Sequence, residues 1–247
     1  MAPMMKTEIL RERSMKNEVK GDTDRNKKAK KIDKYRIVGP VYDFLSNLYS
    51  GQSIHRCKIA MINPENVKKG DKILFAGVGH GRDAMHAAAL GAQVTVVDLS
   101  ETMLKKFRQN LRQANAKWKI RQVHSDIMAF KEYQKYDMVV ANFFLNVFDR
   151  EMMAGVLDQL VKLGKPGAKI VVGDFSYPTG NILSRAFKVV YWYGAVVFFW
   201  LLARNALHNI YNYPEYMQRL GLTIKEKRYF KLGIMDCYWS ILGQKSA

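Results

Sequence analysis

From Lys72 onward, short apolar runs alternate with longer stretches of mixed polarity. Lys72–Ala76 and Val94–Asp98 have the length and aliphatic content of buried strands. Between them, Asp83 to Leu90 is small and apolar enough to pack as a helix on a sheet, with Gly91 placed as its C-cap. Glu101 to about Asn115 carries Leu104, Phe107 and Leu111 at helical spacing, and Ser100 stands at its N-cap. Lys119–His124 and Tyr136–Asn142 read as strands three and four. Arg150 to Leu163 reads as a helix closed by Gly164-Lys165-Pro166-Gly167, and Lys169–Phe175 as strand five. Thr223–Phe230 and Tyr238–Leu242 read as the last pair. Strands that alternate with helices in this way predict an α/β fold, a doubly wound and largely parallel sheet with helices on both faces.

The chemistry concentrates in Lys72–Ser100, KILFAGVGHGRDAMHAAALGAQVTVVDLS. The first apolar run ends in Gly77-Val78-Gly79-His80-Gly81, a helix-forming stretch follows, and the second run ends in Asp98. Glycines let a backbone pass close to a ligand, and the helix start offers free N–H groups. A carboxylate at the end of the second strand can take both ribose hydroxyls. The unit therefore predicts a nucleoside-binding site. A dinucleotide fingerprint needs G-x-G-x-x-G, whereas the spacing here is G-x-G-x-G, with Asp83 two positions further on.

That pattern resembles motif I of the class I S-adenosylmethionine (SAM)-dependent methyltransferases, and Val94–Ser100 resembles their second motif. The resemblance extends over about Tyr35 to Gly243. It implies a seven-stranded, mostly parallel Rossmann-like sheet that ends in an antiparallel hairpin, and SAM as the cofactor. It implies further that Gly77, Gly79 and Gly81 lie along the methionine and ribose, and that Asp98, followed by Leu99, holds the ribose. Asp126, in Ser125-Asp126-Ile127 after the third strand, is the candidate for the adenine amino group; its structural alternative is a loop aspartate capping a turn. Asn142-Phe143-Phe144-Leu145 falls beside the sulfonium and the substrate, and is not the Asn-Pro-Pro-Tyr motif of nucleobase and glutamine N-methyltransferases. The chain departs from the family at Phe75, where an acidic residue is usual.

Upstream, Val41-Tyr42-Asp43-Phe44 resembles the cap segment of the ubiquinone/menaquinone C-methyltransferase group, which implies that Tyr42, with Tyr49, faces cofactor or substrate. His55 is a candidate proton acceptor, with a surface histidine as the alternative. His208, Tyr211 and Tyr213 cluster before Pro214 and can orient a hydroxylated acceptor. His55, His208 and Tyr211 are the catalytic candidates. No grouping of the five histidines has metal-ligand spacing, so no metal is expected.

Composition sharpens the picture of partners. The 247 residues suit one α/β domain with appendages: a basic arm over 1–34, and a domain over 35–247 with an insertion at 176–214. Cys57 and Cys237 match no redox or metal spacing and suggest a reducing compartment. The polar first segment carries no secretory signal, and its acidic residues argue against a mitochondrial presequence, so a cytoplasmic location is expected. Net charge is +18; residues 1–36 supply +6 and the remainder +12, which favours anionic partners, a membrane face or nucleic acid.

Between Asp174 and Glu215 there is no acidic residue, and Val189–Ala203 is apolar all round. Its 15 residues fall short of the roughly 20 that span a bilayer. It reads as core, as a lid over an apolar pocket, or as an element peripheral to a membrane. The sequence thus points to a SAM-dependent methyltransferase of a lipophilic or aromatic small molecule, quinol-like or lipid-like. RNA methylation and a non-catalytic SAM-binding scaffold stand as alternatives.

Overall fold

The computed structural model describes residues 52–178, 210–232 and 235–247, with the separate positions 183, 186, 187, 189 and 190, and all of these belong to one unit, Tyr42–Ala247. The arm over 1–34, Tyr42, Tyr49, His208 and the run Val189–Ala203, apart from its first two residues, lie outside the described residues.

The described elements are α1 (residues 52–59), β1 (Lys72–Ala76), α2 (Arg82–Ala89), β2 (Gln93–Asp98), α3 (Glu101–Gln113), β3 (Arg121–His124) and β4 (Tyr136–Asn142). A 3-10 turn at Leu145–Val147 leads to α4 (Arg150–Leu163) and β5 (Gly164–Phe175). The chain then returns through α5 (Tyr213–Arg219) to β6 (Thr223–Leu232) and β7 (Met235–Gln244). The seven strands form one sheet in the order β3-β2-β1-β4-β5-β7-β6. β1 to β5 pair in parallel, and β7 runs antiparallel to both β5 and β6. The expected doubly wound sheet with a closing hairpin is the fold observed, with the insertion between β5 and β6.

Two apolar clusters cover the two faces, and the period of two along each strand divides its residues between them. In β1, Ile73 and Phe75 face the cluster built with α2 and α3, while Leu74 and Ala76 face the one built with α4 and α5. Because both faces are covered, the central strands read as continuous apolar runs instead of alternating ones. Phe75 is 2% exposed and lies between Val96 and Val140 on the neighbouring strands.

Helix boundaries follow local chemistry. The Ser100 hydroxyl accepts from the Met103 amide at 3.3 Å, and the Asp149 carboxylate from the Met152 amide at 2.9 Å. Gly91 takes the left-handed conformation past α2 (φ 90°), and its amide reaches the Ala88 carbonyl.

Several boundaries differ from expectation, among them β3, which starts at Arg121 and not at Lys119. β5 starts at Gly164, because the segment expected only to close the helix pairs with Tyr136 across a bulge before the regular ladder begins at Met138 and Lys169. β6 and β7 extend beyond their apolar centres, since main-chain pairing of a hairpin continues without buried side chains. α5 carried no sequence expectation; Pro214 opens it and Tyr213, Pro214 and Met217 are buried.

Candidate active site

The candidate site gathers at the carboxyl ends of β1, β2, β3 and β4, the edge where doubly wound sheets bind ligands. Gly77, Gly79 and Gly81 all have positive φ, at 75°, 48° and 70°. Two of them are close-approach positions: a Cβ on Gly81 would lie 2.1 Å from the Phe107 ring, and one on Gly77 2.7 Å from that of Phe144. Gly79 is different. Among the described residues its Cβ position meets only the Lys58 ammonium, at 3.9 Å, which leaves its outer face clear of them.

Asp98 closes the loop onto β2. One carboxylate oxygen accepts from the Val78 amide and the other from the Ser100 amide, each at 2.8 Å. Burial raises its pKa, against the pull of those two amides. Each oxygen retains a further lone pair, so this carboxylate can shape the loop and still receive hydroxyl donors. Beside it Leu99 is 53% exposed, and Met128, after β3, is 42% exposed.

Asp126 is exposed and one of its oxygens accepts from the Met128 amide at 2.9 Å, forming an Asx turn. Ile127 is buried in the core. Asn142 ends β4; its amide nitrogen donates to the Asp83 carboxylate at 2.9 Å and to the Lys58 carbonyl at 3.0 Å, tying α1 and α2 to the sheet. Gly173 is glycine for the same reason, since its Cβ would lie 2.4 Å from the Asn142 side-chain oxygen.

Beyond Asn142 the backbone turns through Phe143 (φ 52°), whose amide donates to the Gly173 carbonyl at 2.7 Å. A φ in this region is costly for a phenylalanine. The ring packs edge-on against Phe175 at 5.4 Å and Tyr238 at 5.8 Å, with the Lys58 ammonium 5.6 Å from its centroid. Phe144 meets Phe148 edge-on at 5.4 Å. The turn after β4, beside Gly77 and Lys58, is thus aromatic.

His55 lies on α1 among Lys58, Arg82, Asp83 and His86; partial desolvation, then the Arg82 charge, lowers its pKa, so the ring is neutral at pH 7. Tyr211 is placed elsewhere. It is 5% exposed, donates its hydroxyl to the Phe148 carbonyl at 2.8 Å and packs against Tyr213 and Tyr216.

Two groups escaped the sequence reading. Asp174, at the end of β5, is 1% exposed and receives the Tyr213 hydroxyl at 2.7 Å, the Asn146 amide at 2.9 Å and its neighbour's N–H at 2.8 Å. Burial pushes its pKa up to about 7 against those donors. Its sequence signal is its place as the last acid before a 40-residue acid-free stretch. Lys58 carries no signal at all, because only the docking of α1 brings it to the glycine loop. The described residues contain no cluster of three or more metal-ligating side chains.

A family model described as a methyltransferase domain matches residues 73–167, the stretch from β1 into β5. The matched stretch and the strand order together give the class I methyltransferase fold. Among curated proteins, it is 28% identical over 169 residues to the ubiquinone/menaquinone biosynthesis C-methyltransferase of Pseudomonas fluorescens, which covers 66% of this chain and 64% of that protein. The counterpart from Teredinibacter turnerae is 28% identical over 162 residues, 63% of each chain. The chain therefore spans just under two thirds of the length of the P. fluorescens relative.

Among solved structures, magnesium protoporphyrin IX methyltransferase of Synechocystis with bound SAH superposes with a TM-score of 0.62 at 16% identity, over 81% of this chain and 84% of that one. The 1,6-didemethyltoxoflavin-N1-methyltransferase of Burkholderia thailandensis, with its substrate and S-adenosylhomocysteine, gives 0.59 at 15% identity over 83% and 86%. At such identities these two likenesses speak for the fold of the methyltransferase domain alone.

Proposed function

We propose that the chain transfers the methyl group of SAM to a lipophilic or aromatic small molecule, at or near a membrane surface. The observation that carries the reading is the juxtaposition of an open glycine loop, closed onto Asp98, with an aromatic turn after β4. The residues present fit the cofactor: Gly79 leaves its outer face clear, Asp98 keeps lone pairs for ribose hydroxyls, and Leu99 and Met128 offer apolar surface for a base. When bound, SAM supplies a methyl already activated by its sulfonium. The protein's share is then mainly positioning.

Gly79 leaves room for the cofactor beside a loop whose shape Gly77 and Gly81 set, and Asp126 is the candidate for its adenine end. Phe143 and Phe144 present aromatic surface to a flat acceptor. His55, neutral at pH 7, is a candidate to take a proton from an acceptor hydroxyl; Tyr211 donates its own hydroxyl to the Phe148 carbonyl. The relatives' printed names, quinone, porphyrin and toxoflavin methyltransferases, agree with a flat conjugated acceptor.

The membrane part of the reading is supported by Leu183, Phe187 and Val190, spaced four and three residues apart and 82%, 60% and 71% exposed. That spacing places them on one helical face within the acid-free insertion. No helix among the described residues is long and apolar enough to cross a membrane.

Calorimetry with SAM and S-adenosylhomocysteine tests the site directly. We expect micromolar binding by the wild type, a loss of at least about tenfold in Asp98→Ala, and a smaller loss in Asp98→Asn, which keeps one acceptor for the loop. Radiolabelled methyl from SAM should then appear in the quinone or lipid fraction of a cell extract. Tight SAM binding with no acceptor in any fraction would favour the scaffold, and label in RNA would redirect the assignment.

A further inference from the structure

Two opposite charges flank the glycine loop, and neither is neutralised by a described protein partner. Asp83, in the first turn of α2, is 6% exposed; its carboxylate receives only the Asn142 amide and the N–H of Ala84. Among the described residues no cation stands within ion-pair distance of it. Such a carboxylate is costly to bury without a positive partner. The half-buried Lys58 ammonium is the mirror case. It stands 3.9 Å from the Cβ position of Gly79 and 5.6 Å from the Phe143 ring centroid, with no carboxylate among the described residues within ion-pair reach. The Asn142 side chain holds the two residues in one frame, since its nitrogen binds both the Asp83 carboxylate and the Lys58 carbonyl.

We infer that Lys58 and Asp83 form a two-pole receptor for a zwitterionic α-amino-acid group, the ammonium of Lys58 taking its carboxylate and the carboxylate of Asp83 its ammonium. A ligand bearing both charges satisfies both poles at once, whereas a simple anion or cation leaves one unmatched. This deepens the cofactor reading and rests on it: the amino-acid end of SAM is the zwitterion concerned. It also accounts for the tolerance of Phe75 in β1. That side chain is packed between strands, and the buried acid beside the loop is Asp83, in the first turn of the helix that follows it.

Three nucleosides separate the poles by calorimetry on the full chain. S-adenosylhomocysteine carries both charges, its decarboxylated analogue S-adenosyl-3-thiopropylamine keeps only the ammonium, and 5′-methylthioadenosine carries neither. Lys58→Met is expected to weaken S-adenosylhomocysteine roughly tenfold to a hundredfold while leaving the other two unchanged. Asp83→Asn is expected to weaken both ammonium-bearing ligands and to spare methylthioadenosine. Uniform losses across all three ligands in Lys58→Met, or no loss for S-adenosylhomocysteine, would overturn the receptor. Should Asp83→Asn fail to fold, Lys58→Met on the edge of α1 still decides the matter. A wild type that binds none of the three refutes the cofactor site, and the receptor with it. A wild type that binds S-adenosylhomocysteine while Lys58→Met binds it equally well refutes the receptor alone.

Discussion

Asp174 shows how a single side chain carries information that its sequence neighbourhood hides. It ends β5 fully buried, and its three donors come from β5 itself, from the turn after β4 and from the start of α5. It therefore pins the return of the insertion to the sheet. The groups facing it are the Cys57 thiol from α1, whose pKa burial raises, and the Tyr213 phenol, raised by burial and by the Asp174 charge. With a native pKa near 7 against an ordinary value of 3.8, the folded chain keeps a proton that the unfolded chain has lost between those limits. Folding stability from this group therefore falls as pH rises through that window and levels off above 7. Urea unfolding of Asp174→Asn should show a shallower decline from pH 5 to 8 than the wild type. An unchanged slope would mean that the carboxyl ionises normally.

At the scale of elements, legibility followed the range of the interactions. α4 was readable end to end, because the signals that bound it are local; Asp149, which caps it, emerged only in the structure. Replacing that cap, Asp149→Ala, should cost about 1 kcal/mol in urea unfolding without changing the slope of the transition. Ser100 caps α3 as expected, for the same reason. β5 was misjudged at its start because the pairing of Gly164 with Tyr136 depends on a neighbouring strand. α5 was missed because its seven residues are too few for a periodic signal and its stability comes from burying Tyr213 and Met217. Of the candidate site, the glycine loop and the place of Asp98 against it were legible, since a β–loop–α–β unit is written within thirty residues. Lys58, Asp83 and Asn142 were not legible as a group, because three elements distant in sequence bring them together.

Over the whole molecule the charge is strongly one-sided, with a formal +18 and no acidic residue from 102 to 125. Lys105, Arg112, Lys117 and Lys119 are exposed along α3 and the loop to β3, and Trp118 beside them is 40% exposed. Cosedimentation with vesicles rich in anionic phospholipid should therefore be strong at low salt and fall steeply toward 0.5 M, with little binding to neutral vesicles. Binding that survives high salt would instead assign the contact to the apolar face of Leu183, Phe187 and Val190.

The sequence by itself determined the class of fold, the order of its strands and helices and the position of the glycine loop. Each is encoded by hydrophobic period, capping residues and glycine placement over short spans. Only the tertiary structure decided that Phe75 is sealed between strands, that Tyr211 supports the core wall, and that Asp174 gathers three elements around one buried carboxylate. It alone brought Lys58 and Asp83 together through Asn142 beside the glycine loop. Burial and the pairing of charges depend on which distant segments pack together, and no local pattern records that.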